Sequence, residues 1–177
     1  MEQKTQKKEA GFKPSRNVEL GKGGSVVIVR IRGMRTTPRR AEHTMLLMNL
    51  SRKFHATILP DDAITRGMVL HAKDFITWGK AGSKTFEDLF AKHGRTVDGK
   101  PLTDAYVKVS TDFSSVKELA AAVHSGKTRL SRVKAVKAVF RLQPARKGFG
   151  SIKAIFPEGA LGARDEKSID SLLVSMM

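Results

Sequence analysis

From Leu119 to Pro157 the chain carries nine Lys and Arg and no Asp or Glu. A stretch of one charge sign repels itself unless a partner neutralises it, whereas a merely solvated face mixes signs. A second run, residues 30–40, holds Arg30, Arg32, Arg35, Arg39 and Arg40, again without an acid. The whole chain has 33 Lys and Arg against 17 Asp and Glu, a net charge of +16, and the two runs supply 5 + 9 = +14 of it. An excess this localised argues against a near-neutral enzyme and points to a polyanionic partner, above all nucleic acid.

The rest of the composition allows a folded domain. With 177 residues, 40% of them apolar, the chain suits one domain or one domain with a long addition and is too apolar for general disorder. Cys is absent, which removes disulfides, thiol chemistry and Cys-ligated zinc and fits a reducing compartment. No apolar run approaches the ~20 residues of a membrane helix, so no membrane association is expected. The polar N-terminus lacks a signal core, so secretion is not expected either.

Residues 1–24, Lys-rich and closed by Gly21–Gly24, read as a flexible basic tail. A strand is expected over Val26–Arg32, with Val27, Val29 and Ile31 facing a core and Ile28, Arg30 and Arg32 on the other side. Thr37 and Pro38 then open a helix whose stripe is Ala41, Met45 and Met48, broadened by Leu47, Leu50 and Phe54. A second strand covers 55–59. Gly67 precedes a short helix through Met68, Ala72 and Phe75, and a third strand covers 75–78. Thr85–Asp88 resembles a capping box for a helix that buries Phe86, Leu89 and Phe90 and stops at Gly94. Ser115 and Glu118 form a second box, followed by Val116, Leu119, Ala120 and Val123 at helical spacing and by Gly126. Residues 138–142 read as a strand and 146–163 as irregular. Asp165 starts a final helix with Ile169, Leu172, Leu173 and Met176 on one face. The organisation expected is thus a tail (1–24), a β-α-β-α-β core (25–80) and a helical and basic-loop extension (81–177) packed on that core.

Catalytic chemistry finds little support. His43, His55, His71, His93 and His124 do not fall at metal-ligand spacing. Asp61-Asp62 after Pro60 suits helix capping better than acid–base work. Gly21–Ser25 precedes a strand, whereas a phosphate loop follows one, and no GxSxG elbow exists. No cofactor or metal is expected. Nucleic-acid features are stronger. In 141–153, cations alternate with Gly148, Gly150 and one aromatic, Phe149, which suits core packing better than base stacking. An aromatic content of 6% argues against stacking platforms for single strands and favours recognition of folded RNA by shape and backbone.

Two segments carry a family likeness. Residues 60–79, PDDAITRGMVLHAKDFITWG, and 140–162, FRLQPARKGFGSIKAIFPEGALG, resemble the signature region and the basic loop of the universal large-subunit ribosomal protein thirty family, archaeal type, whose eukaryotic counterpart is called protein seven. The likeness covers about residues 25–177. It implies an α+β fold with a small three-stranded antiparallel sheet in a loosely ferredoxin-like core. It implies a non-catalytic, structural role in the cytoplasmic ribosome, with ribosomal RNA of the large subunit and neighbouring ribosomal proteins as partners and that subunit's small RNA as a candidate contact. Arg66, Gly67 and Met68 match the signature turn; Arg141, Arg146, Lys147, Gly148 and Lys153 match the basic loop. Charge and likeness together give an expected RNA-binding set of Arg30, Arg32, Arg35, Arg39, Arg40, Arg66, Lys137, Arg141, Arg146, Lys147 and Lys153. The tail and residues 145–155 are expected to become ordered on RNA. The alternatives are an RNA-processing or RNA-modifying factor, which needs a catalytic constellation, and a DNA-compacting protein.

Overall fold

β1, Ser25–Arg30, is buried along its whole length, which requires cover on both of its faces. The computed structural model describes residues 24–146 and 148–177, so the expected tail and Lys147 lie outside the described residues, Gly24 apart. After β1 come a 3-10 turn (Met34–Thr36), α1 (Arg39–Leu47), β2 (His55–Pro60), α2 (Ala63–Ala72) and β3 (Ile76–Gly79). The remainder forms α3 (Ser83–His93), α4 (Asp104–Ser110), α5 (Val116–His124), a 3-10 turn (Leu130–Arg132), β4 (Val139–Arg141), β5 (Ser151–Ile155), β6 (Gly159–Ala163) and α6 (Glu166–Met176).

The fold is α+β, and its sheet has six strands where three were expected, in the order β4-β2-β1-β3-β6-β5. β1 runs antiparallel to β2 and β3, and β4 is antiparallel to β2. β6 is parallel to β3, so the sheet is mixed. The extra strands come from the extension. β4 closes one edge; β5 and β6 are built from the Gly-rich stretch expected to be irregular.

Alternation along β1 explains the two-sided burial. Val27, Val29 and Ile31 enter one core with Phe86, Leu89 and Phe90 of α3, Leu119 and Val123 of α5, and Ile169 and Leu173 of α6. Val26 and Ile28 enter a second core with Ala41 and Met45 of α1, Val69 and Ala72 of α2, and Trp78 of β3. The second face, expected to display arginines, is therefore covered by α1 and α2. The Ala41–Met45–Met48 stripe is buried as expected, but Leu47 is 64% exposed.

Other local expectations shift for identifiable reasons. Pro38 takes the N-cap position of α1, while the Thr37 hydroxyl donates to the Gly33 carbonyl (2.7 Å) and closes the preceding turn. Gly67 lies inside α2 rather than before it, because Asp62 already begins that helix. Thr85 is inside α3, whose N-cap is Gly82; the Gly82 amide donates to the Asp170 carboxylate of α6 (3.0 Å). The Ser115 cap is as expected: its hydroxyl accepts from the Glu118 amide (3.2 Å). The unforeseen α4 is capped by Thr103, and its Asp104 carboxylate accepts from the Val116 amide (2.8 Å), tying it to α5.

Candidate nucleic-acid interface

β4 is an edge strand, paired on one side only. Residues 137, 139 and 141 alternate onto one side of it, so Lys137 and Arg141 flank Val139. Two hollows adjoin this ridge. One, about 430 Å³, is lined by Lys137, Val139 and Arg141 with Leu46, Asn49, Ser51 and His55. The other, about 400 Å³, is lined by the same three residues with His93, Arg95 and Gly99. No carboxylate lines either hollow among the described residues.

Backbone bonds hold this arrangement. The Lys137 amide donates to the Arg95 carbonyl (2.9 Å), which brings the turn after α3 beside β4. That turn runs through Gly99 at φ +87°, a left-handed conformation favouring glycine. His55 is paired with Arg141 across the β2–β4 ladder, and its Nδ1 lies 3.3 Å from the Ser51 hydroxyl. Burial holds the His55 imidazole below its ordinary pKa, and the charges of Arg141, Arg52 and Arg30 push the same way.

The two basic runs meet at one end of the sheet. Phe54 donates its amide to the Arg30 carbonyl (2.8 Å) and accepts from the Leu142 amide (3.0 Å). Its ring stacks on Phe149 of the basic loop, with centroids 5.7 Å apart. Phe149 thus packs against the core, as expected. Lys53 lies across Gly33: a Cβ on Gly33 would meet its Cε at 2.5 Å. The loop is tied further by the Gln143 and Arg146 amides, which donate to the Met176 and Ser175 carbonyls (2.9 and 3.1 Å).

The expected contact residues divide by environment. Arg30 departs from expectation. Its side chain is fully buried, with Nη1 donating to the Leu50 carbonyl (2.7 Å) and Nε to the Arg32 carbonyl (2.9 Å). Arg30 therefore braces the chain turn after α1 and leaves no accessible surface for a phosphate. Arg32 is intermediate, its guanidinium 5.2 Å from the Phe75 ring centroid. Arg35, Arg39 and Arg40 are exposed. Arg39 and Arg40 occupy the start of α1, where the helix dipole disfavours cations and attracts anions. Lys137, Arg141 and Arg146 are exposed near the β4 end of the sheet. Lys153 is exposed on β5, at the opposite edge and roughly 24 Å from β4 at ordinary strand spacing. Arg66 stands on α2 with its Nε 3.2 Å from the buried Asp61 carboxylate, which Lys80 also approaches at 3.5 Å. Asp62 pairs with Arg129 at 2.7 Å.

Sequence reasoning did not find Asn49, His55, His93 and Arg95 in this surface. His55 follows from strand pairing, invisible in a charge count. Arg95 had a local signal, the Asp98-Gly99 turn that carries the chain back towards β4. A second structural arginine, Arg164, was likewise unforeseen: its Nε donates to the Thr77 hydroxyl (3.0 Å), and burial lowers its pKa. Among the described residues no group of three His, Asp or Glu is placed to hold a metal, and no helix is long and apolar enough to cross a membrane.

No family model matches the chain. Among individual proteins it is similar to large ribosomal subunit protein uL30 of Methanosphaera stadtmanae, with 40% identity over 151 residues, 85% of this chain and 98% of the relative. The uL30 protein of Archaeoglobus fulgidus is 36% identical over 149 residues, 84% of this chain and 97% of its own length. That of Nanoarchaeum equitans is 41% identical over 149 residues, 82% and 95%. Identity of this level across nearly the full length of each relative places the chain in one family with them: it belongs to the large ribosomal subunit protein uL30 family.

Proposed function

We propose that the protein is a non-enzymatic structural constituent of the large subunit of the cytoplasmic ribosome, where it binds ribosomal RNA and sits among other ribosomal proteins. The relatives' shared name supports the assembly. The observation that carries the binding mode is the carboxylate-free surface along β4, where Lys137, Arg141 and Arg95 stand with His55 and His93. Arg35 on the turn before α1, and Arg39 and Arg40 at the start of that helix, about 13 Å long, add further exposed cations. Cations that form no ion pair among the described residues suit phosphates of folded RNA, whose A-form helices offer backbone and 2′-hydroxyls more readily than base edges. The Phe54–Phe149 stack holds the basic loop at the same end, so Arg146 joins this surface.

The test has two parts. Quantitative co-sedimentation with large subunits at moderate salt is expected; migration with free protein or with DNA overturns the assignment. For purified protein on structured ribosomal RNA, neutralising on the order of six phosphates makes affinity fall roughly a thousandfold between 50 and 200 mM salt. A binding constant insensitive to salt overturns the phosphate mode.

A further inference from the structure

A third cavity lies away from β4, between the α4–α5 turn and the segment after α5. Its volume is about 400 Å³, within the range of small-ligand sites, and it is lined by Ser110, Asp112, Phe113, Thr128, Arg132 and Lys134, among others. Phe113 packs against the main core and also borders the cavity, so its ring is a supported wall rather than a loose side chain. The Thr111 hydroxyl steadies it by accepting from the Phe113 amide (3.4 Å) while donating to the Val107 carbonyl (2.6 Å). Asp112 shares the cavity with two cations, yet no ion pair forms between them among the described residues. The hydroxyls of Ser110 and Thr128 likewise make no hydrogen bond among the described residues. Acceptor, donors and cations thus line one hollow without satisfying one another.

A single ligand unit needs that combination. An aromatic wall takes the face of an unstacked base, and cations take the phosphate that travels with it. A carboxylate has two acceptor oxygens and no donor, which matches the two adjacent donors, N1–H and N2–H, on the Watson–Crick edge of guanine. Adenine presents an acceptor beside its donor there, which repels the second oxygen. We propose that this cavity holds one unpaired guanine nucleotide of an RNA strand, with Phe113 against the base, Asp112 on its edge, and Arg132 and Lys134 on its phosphate. The β4 surface reads phosphates by charge; this cavity reads a base. The inference takes only the source of the nucleotide from the ribosomal reading.

The experiment is an amide chemical-shift titration of the full chain with guanosine 5′-monophosphate, adenosine 5′-monophosphate and ribose 5-phosphate. The guanine nucleotide is expected to move amides in 110–113 and 128–134, with about tenfold preference over the adenine nucleotide, the equivalent of one charge-assisted hydrogen bond. Ribose 5-phosphate should move only 132–134. Asp112→Asn should remove the preference without altering the melting temperature, because Asp112 is exposed. Equal affinity for both nucleotides, an identical shift map with ribose 5-phosphate, or no movement at millimolar nucleotide each overturns the proposal. Lys137→Ala with Arg141→Ala separates the two readings: it should weaken RNA binding and leave the guanine titration unchanged.

Discussion

Arg30 and Arg141 stand on β1 and β4, strands of one sheet with only β2 between them, and sit in opposite environments. Arg30 is enclosed: Nη1 donates to the carbonyls of Leu50 and Ser51 and Nε to that of Arg32, while Nη2 is buried without a hydrogen-bond partner among the described residues. Arg141 is exposed on the edge strand and shares a hollow with Lys137 and His55. The difference follows from strand position. A central strand is covered on both faces, so a cation there turns to the protein's own carbonyls; an edge strand leaves its cations exposed. Charge per residue therefore does not measure what a basic segment binds.

The largest effect should come from the buried member. Arg30→Met keeps much of the apolar stem but strands the buried Leu50 carbonyl and two part-buried ones, of Ser51 and Arg32. With roughly 1–3 kcal/mol for each buried polar group left unpaired, offset by relief of the guanidinium's own desolvation, the net loss should be about 2–4 kcal/mol. That lowers the melting temperature by about 10 °C. A thermal melt equal to wild type would mean that Arg30 is a displayed cation after all.

The exposed pair should behave in reverse. Lys137→Ala with Arg141→Ala should reduce affinity for structured RNA about a hundredfold, taking about tenfold per charge-assisted contact, and flatten the salt dependence by about one unit per phosphate lost. The melting temperature should stay within about 2 °C, because neither side chain is buried. Equal losses of stability in this variant and in Arg30→Met would erase the distinction between the two arginines.

His55 links the two regions, since it lies against Ser51 and is paired with Arg141. Its pKa is lowered in the folded protein by burial and by Arg141, Arg52 and Arg30, from an ordinary value of 6.5. The unfolded chain therefore binds the proton first, so free-protein stability should decline as pH falls below about 6.5 and level off under the folded pKa. A phosphate beside Arg141 works the other way by favouring imidazolium. RNA binding then takes up a proton, and affinity should rise about threefold from pH 7.5 to 6. Filter binding across that range should show the rise in wild type and lose it in His55→Gln. A slope unchanged by the substitution would remove His55 from the interface.

How far the sequence carried this picture depended on the range of the signal. Periodicities of three to seven residues located the Ala41–Met45–Met48 stripe and the Ser115-capped helix α5, because those patterns are local. The second covered face of β1 was missed because it depends on α1 and α2 docking there, and Ile28 beside Arg30 looks half-exposed without them. β5 and β6 were missed because glycine carries little strand propensity, and the pairing of β6 with β3 and of β5 with β6 is set by tertiary packing. The cationic surface was half legible: Lys137 and Arg141 stand out in a charge count, whereas Arg95 and His55 join them only through strand pairing and one long-range backbone bond.

Arg32 offers the finest test, because it lies between the two extremes. It stands two residues beyond β1, is partly buried, and donates from Nη1 to the Asp74 carbonyl at 3.3 Å while its guanidinium lies over the Phe75 ring. Arg32→Lys keeps the charge and removes the planar group that stacks. If Arg32 is held mainly by that ring, stability should fall by about 0.5–1 kcal/mol, the worth of an exposed cation–π contact. RNA affinity should change less than about twofold, because a phosphate read by charge accepts an ammonium nearly as well. A loss comparable with that of Arg30→Met would put Arg32 in the buried class with Arg30. A tenfold loss of affinity with unchanged stability would instead put Arg32 with Arg141, as a guanidinium whose forked donors meet RNA directly.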